Sequence, residues 1–456
     1  METVWNKYNA KKMKEVMAFS ENYKQFLDNA KTEREAVSTA IKLAEKVGFK
    51  EFGKQKKIKP GDRFYFNNRG KSLALFVLGK KPLEEGMNIL GAHIDSPRID
   101  VKGNPLYEDN GLLLLDTHYY GGIKKYQWVA RPLAIHGVVC KKDGTKANIV
   151  IGEKESDPII EISDLLPHLA RDQMTKTGNK VVEGEDLNAL YGSIPAKGKK
   201  EEKDLVKKNF LDLLKKEYDI EEADLISAEL ELVPSGKARD LGLDRSMVMG
   251  YGHDDRICGY TSLAAILESK NPERTSVCIL TDKEEIGSIG ATGAESDFFE
   301  NAVAELINLE GNYSDLKLRH ALENSRMISS DVSAAYDPNY PQVNDPKNAA
   351  YFGKGISFNK FTGSGGKFGS NDASPEYIAK IRKIMDEAEV AYQFTELGKV
   401  DQGGGGTIAY VLANKNMDVV DAGIAVQNMH APDETASKAD IYEAYRAYKT
   451  FLKEMY

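Results

Sequence analysis

His93, Asp254, Glu285, Asp331 and His430 are spread over more than three hundred positions, each just past the end of an apolar run, and Glu284 directly precedes the third. In order they supply an imidazole, a carboxylate, a pair of carboxylates, a carboxylate and an imidazole. That set suits hydrolysis at two metal ions. One carboxylate can be shared, two further ligands can serve each ion, and one uncoordinated carboxylate can handle the proton.

The segments differ in how sharply they point to this chemistry. GAHIDSPR (91–98) ends an apolar strand with His93 and Asp95 two positions apart, which places them on one face of an extended chain. His93 suits a ligand, and Asp95 suits a partner that orients it. GYGHDDRICGYTSL (250–263) sets two aspartates in a glycine-flanked loop before a helix. One of them can bridge two ions, although Asp is also a common helix cap. SVCILTDKEEIGSIGATGA (276–294) is the sharpest segment, with a buried strand running into Glu284–Glu285 and a glycine-spaced turn. Glu285 can coordinate while Glu284 stays free as general acid/base. RMISSDVSAAYDPNY (326–340) offers Asp331, whereas Asp337 before Pro338 reads as a turn residue. QNMHAPDETASKADIY (427–442) offers His430 after an apolar run, with Thr435 and Ser437 as capping groups ahead of the last helix. Each fragment alone has a structural explanation; the ordered conjunction favours the metal site.

The elements needed to position these groups follow from periodicity. Residues 1–48 read as helical, with Thr32 as an N-cap. Strands are expected over 63–69, 71–79 and 87–95. Beyond residue 235, helices over 262–269, 298–308 and 374–390 alternate with apolar strands over 276–282, 325–333 and 417–426, and a helix closes the chain. Continuous apolar strands between helices predict an α/β fold with a mostly parallel sheet flanked by helices, its ligands beyond the C-terminal strand ends. Between about 100 and 235, short aromatic-rich strands with Gly turns predict an antiparallel unit, with an exposed loop over 175–204 and a helix over 206–218. The expected organisation is a discontinuous α/β catalytic domain, residues 1–100 and 235–456, interrupted by a β-rich insertion, residues 101–234.

Bulk properties narrow the function classes. The 456 residues suffice for one large core and a smaller one, and 41% hydrophobic with 29% charged residues is an ordinary globular balance. A formal net charge of −8 argues against nucleic acid or an anionic membrane as partner. Cys140, Cys258 and Cys278 form no CxxC and read as thiols in a reducing compartment. The N-terminal stretch has no signal-peptide apolar core and no segment spans a bilayer, so a cytoplasmic location is expected.

GAHIDSPRID, GHDDRICGYTSL, TDKEEIGSIGATG, SSDVSAAYDPN and MHAPDETASKADI, in this order, resemble the signature blocks of the aspartyl aminopeptidase family, which includes vacuolar aminopeptidase I. DTHYYGGIKKYQWV and PLAIHGVV in the insertion extend the resemblance over nearly the whole chain. It implies a cocatalytic metallo-aminopeptidase that removes the N-terminal residue of peptides. By the family pattern His93, Glu285, Asp331 and His430 are metal ligands, Asp254 rather than Asp255 bridges the ions, Glu284 is the general acid/base and Asp95 supports His93. It also implies two divalent ions, with zinc favoured by the donors and manganese or cobalt tolerated by the same set. A dimerisation role for the insertion, a homo-oligomer built from dimers (a dodecamer) and a histidine reaching a neighbouring active site, here His168, belong to the same pattern. At the position where relatives selective for acidic N-terminal residues carry a basic side chain, this chain has Ser357, with Lys360 and Lys367 nearby. The preferred N-terminal residue is therefore open. Two glycine-rich segments, GSGGKFGS (363–370) and DQGGGGTIAYVLA (401–413), do not complete a phosphate loop, since Phe368 follows Lys367. The ligands alone also admit an N-acyl-amino-acid deacylase, or an inactive scaffold or cargo homologue.

Overall fold

The computed structural model describes residues 2–198 and 203–456, so residues 199–202 of the expected loop lie outside the described residues. The chain divides into two compact units, Met1–Ser96 with Ala238–Met429 and Glu434–Tyr456, and Pro97–Lys237 with His430–Asp433.

In the first unit, sequence periodicity becomes a nine-stranded sheet. Its strands run in the order Lys50–Glu51, Arg63–Asn68, Ser72–Val77, Thr275–Thr281, Met87–His93, Arg326–Ser329, Asp418–Gly423, Ile356–Asn359 and Tyr392–Phe394. The central four, Thr275–Thr281 through Asp418–Gly423, are parallel, and antiparallel strands flank them. Strand alternation divides the apolar side chains between two cores. Leu73, Leu75 and Val77 face helices Ala10–Asp28, Glu33–Lys46, His253–Leu267, Pro375–Glu387 and Lys438–Glu454. Ala74 and Phe76 face helices Phe298–Glu310, Asp315–Glu323 and Ala409–Ala413. Because both faces are covered, the central strands read as unbroken apolar runs. Thr32 caps its helix as expected: its hydroxyl accepts the Glu35 N–H at 3.2 Å, and the Glu35 carboxylate accepts the Thr32 N–H at 3.2 Å.

Register decides what the parallel strands present at their ends. Thr281 lies opposite His93, and Ser329 lies opposite both Gly91 and Asp421. His93 is the last residue of its strand, Glu284 and Glu285 follow Thr281 by three and four residues, and Asp331 follows Ser329 by two. All therefore leave the sheet on one edge. A smaller five-stranded sheet joins Arg239–Leu241, Met247–Gly250, Glu434–Ser437, Ala425–Gln427 and Ser333–Ala334. The two glycine-rich segments pair with each other, Gly363–Ser364 against Gly404–Gly405.

The second unit contains a seven-stranded antiparallel sheet and, among the described residues, one α-helix, Leu205–Tyr218. Its longest hairpin, Arg98–Asp109 with Leu112–Tyr120, turns at Asn110–Gly111, where both residues have positive φ (49° and 77°). Asn-Gly is the pair that tolerates such a turn best. The segment expected as an exposed loop contributes a strand, Ala189–Gly192, paired with Leu112–Tyr120 and Glu161–Ile162. Its four residues are too few for the alternation to stand out against polar, Gly- and Lys-rich flanks.

Candidate metal centre

His93 is buried at the end of its strand, and its ring is held from both sides. Nδ1 lies 3.0 Å from the Asp95 carbonyl and 3.3 Å from an Asp95 carboxylate oxygen, while Nε2 lies 3.1 Å from Asp254 Oδ1. The same Nε2 is 3.8 Å from Glu284 Oε2 and 4.0 Å from Asp331 Oδ1. Four carboxylates from four chain segments thus converge on one imidazole. Two groups that include His93 have possible ligand atoms within 4.8 Å of one another, His93–Asp254–Glu285 and His93–Asp255–Asp331.

Asp95 does more than face the imidazole. Its carboxylate accepts the backbone N–H groups of Glu284 at 3.1 Å and Glu285 at 3.2 Å. One buried side chain therefore fixes both the histidine and the loop carrying the glutamate pair. That loop is closed at its base by an Asp282–Gly293 bridge and by the Thr292 hydroxyl, which donates to Asp282 Oδ2 at 2.6 Å. Asp254 and Asp255 enter from the start of helix His253–Leu267, where both depart from helical φ/ψ. Ser96 donates its hydroxyl to the Asp254 carbonyl at 2.5 Å, and Glu434 accepts the Asp254 N–H at 2.9 Å.

The electrostatics call for cations. Burial would lower the His93 pKa, yet the hydrogen-bonded carboxylates of Asp254 and Asp95 hold it well above its ordinary value. Burial, reinforced by neighbouring acids, pushes the Asp255 and Asp331 carboxyls well above theirs. Neither oxygen of the fully buried Asp255 receives a hydrogen bond from a nitrogen or oxygen donor; the donor beside it is the weakly donating Cys258 thiol. A buried cluster of acceptors with too few donors fits divalent cations, and mixed imidazole and carboxylate donors suit zinc and its neighbours in the first transition row.

The remaining sequence candidates each have surroundings of their own. His430 belongs to the short segment grouped with the second unit, with a positive φ of 65° and Nδ1 2.8 Å from the Gly122 carbonyl. His168 is exposed on a turn of that unit. Ser357 is fully buried within its strand with its hydroxyl paired to Thr395, so it offers no polar group to a solvent-filled pocket. Lys360 and Lys367 both face Asp372, at 3.8 Å and 3.0 Å. His253, beside the aspartate pair, is a core histidine. It bonds to the Tyr23 hydroxyl at 2.6 Å and the Val248 carbonyl at 3.2 Å, and burial lowers its pKa to about 4. Glu434 and Ser96 escaped the sequence reading because a buried glutamate after Pro-Asp looks like a solvated acid, and a serine near a ligand has no distinctive spacing.

Residues 26–452 match the family described as Aminopeptidase I zinc metalloprotease (M18). The chain is 60% identical over 452 residues to a probable M18 family aminopeptidase 1 of Clostridium acetobutylicum, covering 98% of this chain and 97% of the relative. It resembles the crystal structure of an M18-family aminopeptidase from Thermotoga maritima with a TM-score of 0.94 and 43% identity, covering 100% of this chain and 99% of the other. The S. cerevisiae mApe1 dodecamer structure shares the fold at a TM-score of 0.77 and 22% identity, over 95% of this chain and 96% of that one.

Proposed function

The chain belongs to the M18 family of zinc metallo-aminopeptidases, a hydrolase acting on peptides, and on that premise we propose that it removes N-terminal residues at a dinuclear centre with Glu284 as general acid/base. The observation that carries this reading is the convergence of His93, Asp254, Asp255, Glu285 and Asp331, with Glu284 close to the same imidazole. Asp254 is the proposed bridging ligand. His93, Glu285 and Asp331 are the further ligands, and His430 is the ligand that the sequence pattern adds to them. Bound divalent ions at such a centre supply Lewis acidity to the scissile carbonyl and acidify a water. Glu284, tethered through its backbone to Asp95, takes the water's proton and returns it to the departing amine. The carboxylates around His93 offer an anionic seat for the free α-ammonium of the peptide, which restricts cleavage to the first bond.

The yeast relative is described as a dodecamer. The proposed assembly here is likewise a homo-oligomer built through the insertion, with His168 lending an imidazole to a neighbouring active site. Zinc is the proposed metal. The buried Ser357 and the paired Lys360 and Lys367 favour a neutral N-terminal residue over an acidic one. The decisive experiment titrates metal-free protein with zinc, manganese and cobalt against Asp, Glu, Leu, Lys and Ala aminoacyl chromogens. Metal-dependent turnover supports the reading and ranks the side chains. Silence across the panel, with metal bound, defeats it.

A further inference from the structure

Arg256 follows the aspartate pair and is 1% exposed, among the most deeply buried large side chains of the chain. Its Nε donates to the Ile94 carbonyl at 3.2 Å and its Nη2 to the Lys31 carbonyl at 2.8 Å. The guanidinium carbon lies 5.0 Å from the Tyr251 ring centroid, and Nη1 has no hydrogen-bond partner. Among the described residues no carboxylate forms an ion pair with it. A buried cation without a counterion is costly, so its retention needs a reason beyond packing. The carbonyls it holds supply one. Ile94 directly follows His93, and Lys31 directly precedes the helix cap Thr32.

The fit is reciprocal. Gly252 has φ +77°, and a Cβ there would stand 2.0 Å from Arg256 Nη1 and 3.0 Å from Ser96 Oγ. The turn before Asp254 is therefore shaped around the guanidinium. Ser96, on the other side, holds the Asp254 carbonyl.

We propose that Arg256 is a positioning residue of the metal centre: its planar fork ties the turn bearing Asp254 and Asp255 to the chain just beyond His93, and so fixes aspartate ligands against imidazole before any ion arrives. The residue touches neither substrate nor metal. A guanidinium suits this role because its N–H groups diverge in one rigid plane and reach two carbonyls at once, whereas an ammonium is a flexible point donor.

This inference rests on the metal-centre reading above, and its test separates the two. Metal-free wild-type, Arg256→Met, Arg256→Lys and Gly252→Ala proteins are titrated with zinc against a competing chelator, and with cobalt(II) while its visible absorption is recorded. Thermal melting is followed in parallel. Arg256→Met is expected to weaken zinc binding at least tenfold and to alter the cobalt spectrum. Arg256→Lys should recover only part of the affinity, and Gly252→Ala, which displaces the guanidinium, should reproduce the loss. Lowered melting temperatures with wild-type zinc affinity and an unchanged cobalt spectrum would overturn the proposal. Should Arg256→Met fail to fold, Gly252→Ala and Arg256→Lys decide the matter by the same criteria. Absence of zinc binding by the wild-type protein would instead remove the metal-centre reading itself.

Discussion

Glu284 and Glu285 are adjacent, yet the proposed mechanism gives them different work, and only substitution separates the roles. Glu284→Gln keeps the shape of the side chain and removes its basicity. Turnover is expected to fall about two to four orders of magnitude, the usual scale for acid–base catalysis, with zinc stoichiometry intact. Glu285→Gln should instead reduce metal content, measured by atomic emission on dialysed protein. Equal behaviour of the two variants would contradict the assignment. Asp421 makes a separate prediction about pH. It is fully buried on its strand, and the Thr407 hydroxyl donates to Oδ1 at 2.6 Å with the Ser329 hydroxyl also beside the carboxyl. Burial therefore raises its pKa from 3.8 to about 7. The folded chain then holds a proton that the unfolded chain releases between these values. This contribution to stability is complete below 3.8 and is lost as pH rises through 7, on the order of a few kcal/mol. The melting temperature of Asp421→Asn relative to wild type should accordingly improve between pH 5.5 and pH 8.5. A constant difference across that range would show that Asp421 is ionised in the fold throughout.

At the level of elements, the loop after the Thr275–Thr281 strand is the critical piece, since it carries both glutamates on a frame that leaves no slack. Gly293 closes it, and a Cβ there would stand 2.1 Å from the Ser288 carbonyl oxygen, so the backbone must move to admit one. Displacing a catalytic group by an ångström costs on the order of a hundredfold. Gly293→Ala is thus expected to lower kcat about ten- to a hundredfold, with little change in helix content by circular dichroism. Wild-type kcat in that variant would mean that the loop's closure does not govern Glu284. Helix Glu33–Lys46 illustrates the opposite case of a purely structural device. Removing its cap with Thr32→Ala should cost about 1 kcal/mol in urea unfolding and leave kcat unchanged.

For the whole molecule, the distinctive prediction concerns subunits acting together. If His168 serves a neighbour, His168→Ala and Glu284→Gln homo-oligomers are each poorly active. Co-assembly then places an intact His168 beside an intact Glu284 in some sites and restores part of the activity. Mixed assemblies no more active than the separate variants would confine His168 to its own exposed turn. No helix among the described residues is long and apolar enough to cross a membrane.

The histidine and carboxylate types at the ends of apolar runs, the α/β alternation and the Thr32 cap were legible in the sequence, because each depends on local periodicity or spacing. Tertiary structure alone revealed that Asp255 as well as Asp254 lies within ligand distance of His93, that Asp95 reaches across 189 positions to the Glu284 backbone, and that Ser357 is buried against Thr395. It also gave Arg256 its partners and Gly252 its reason for being glycine. These facts depend on register between distant strands and on side-chain direction at a helix start. A one-residue shift leaves the sequence pattern almost unchanged, while it turns a strand side chain to the opposite face and swings a helical one by about 100°.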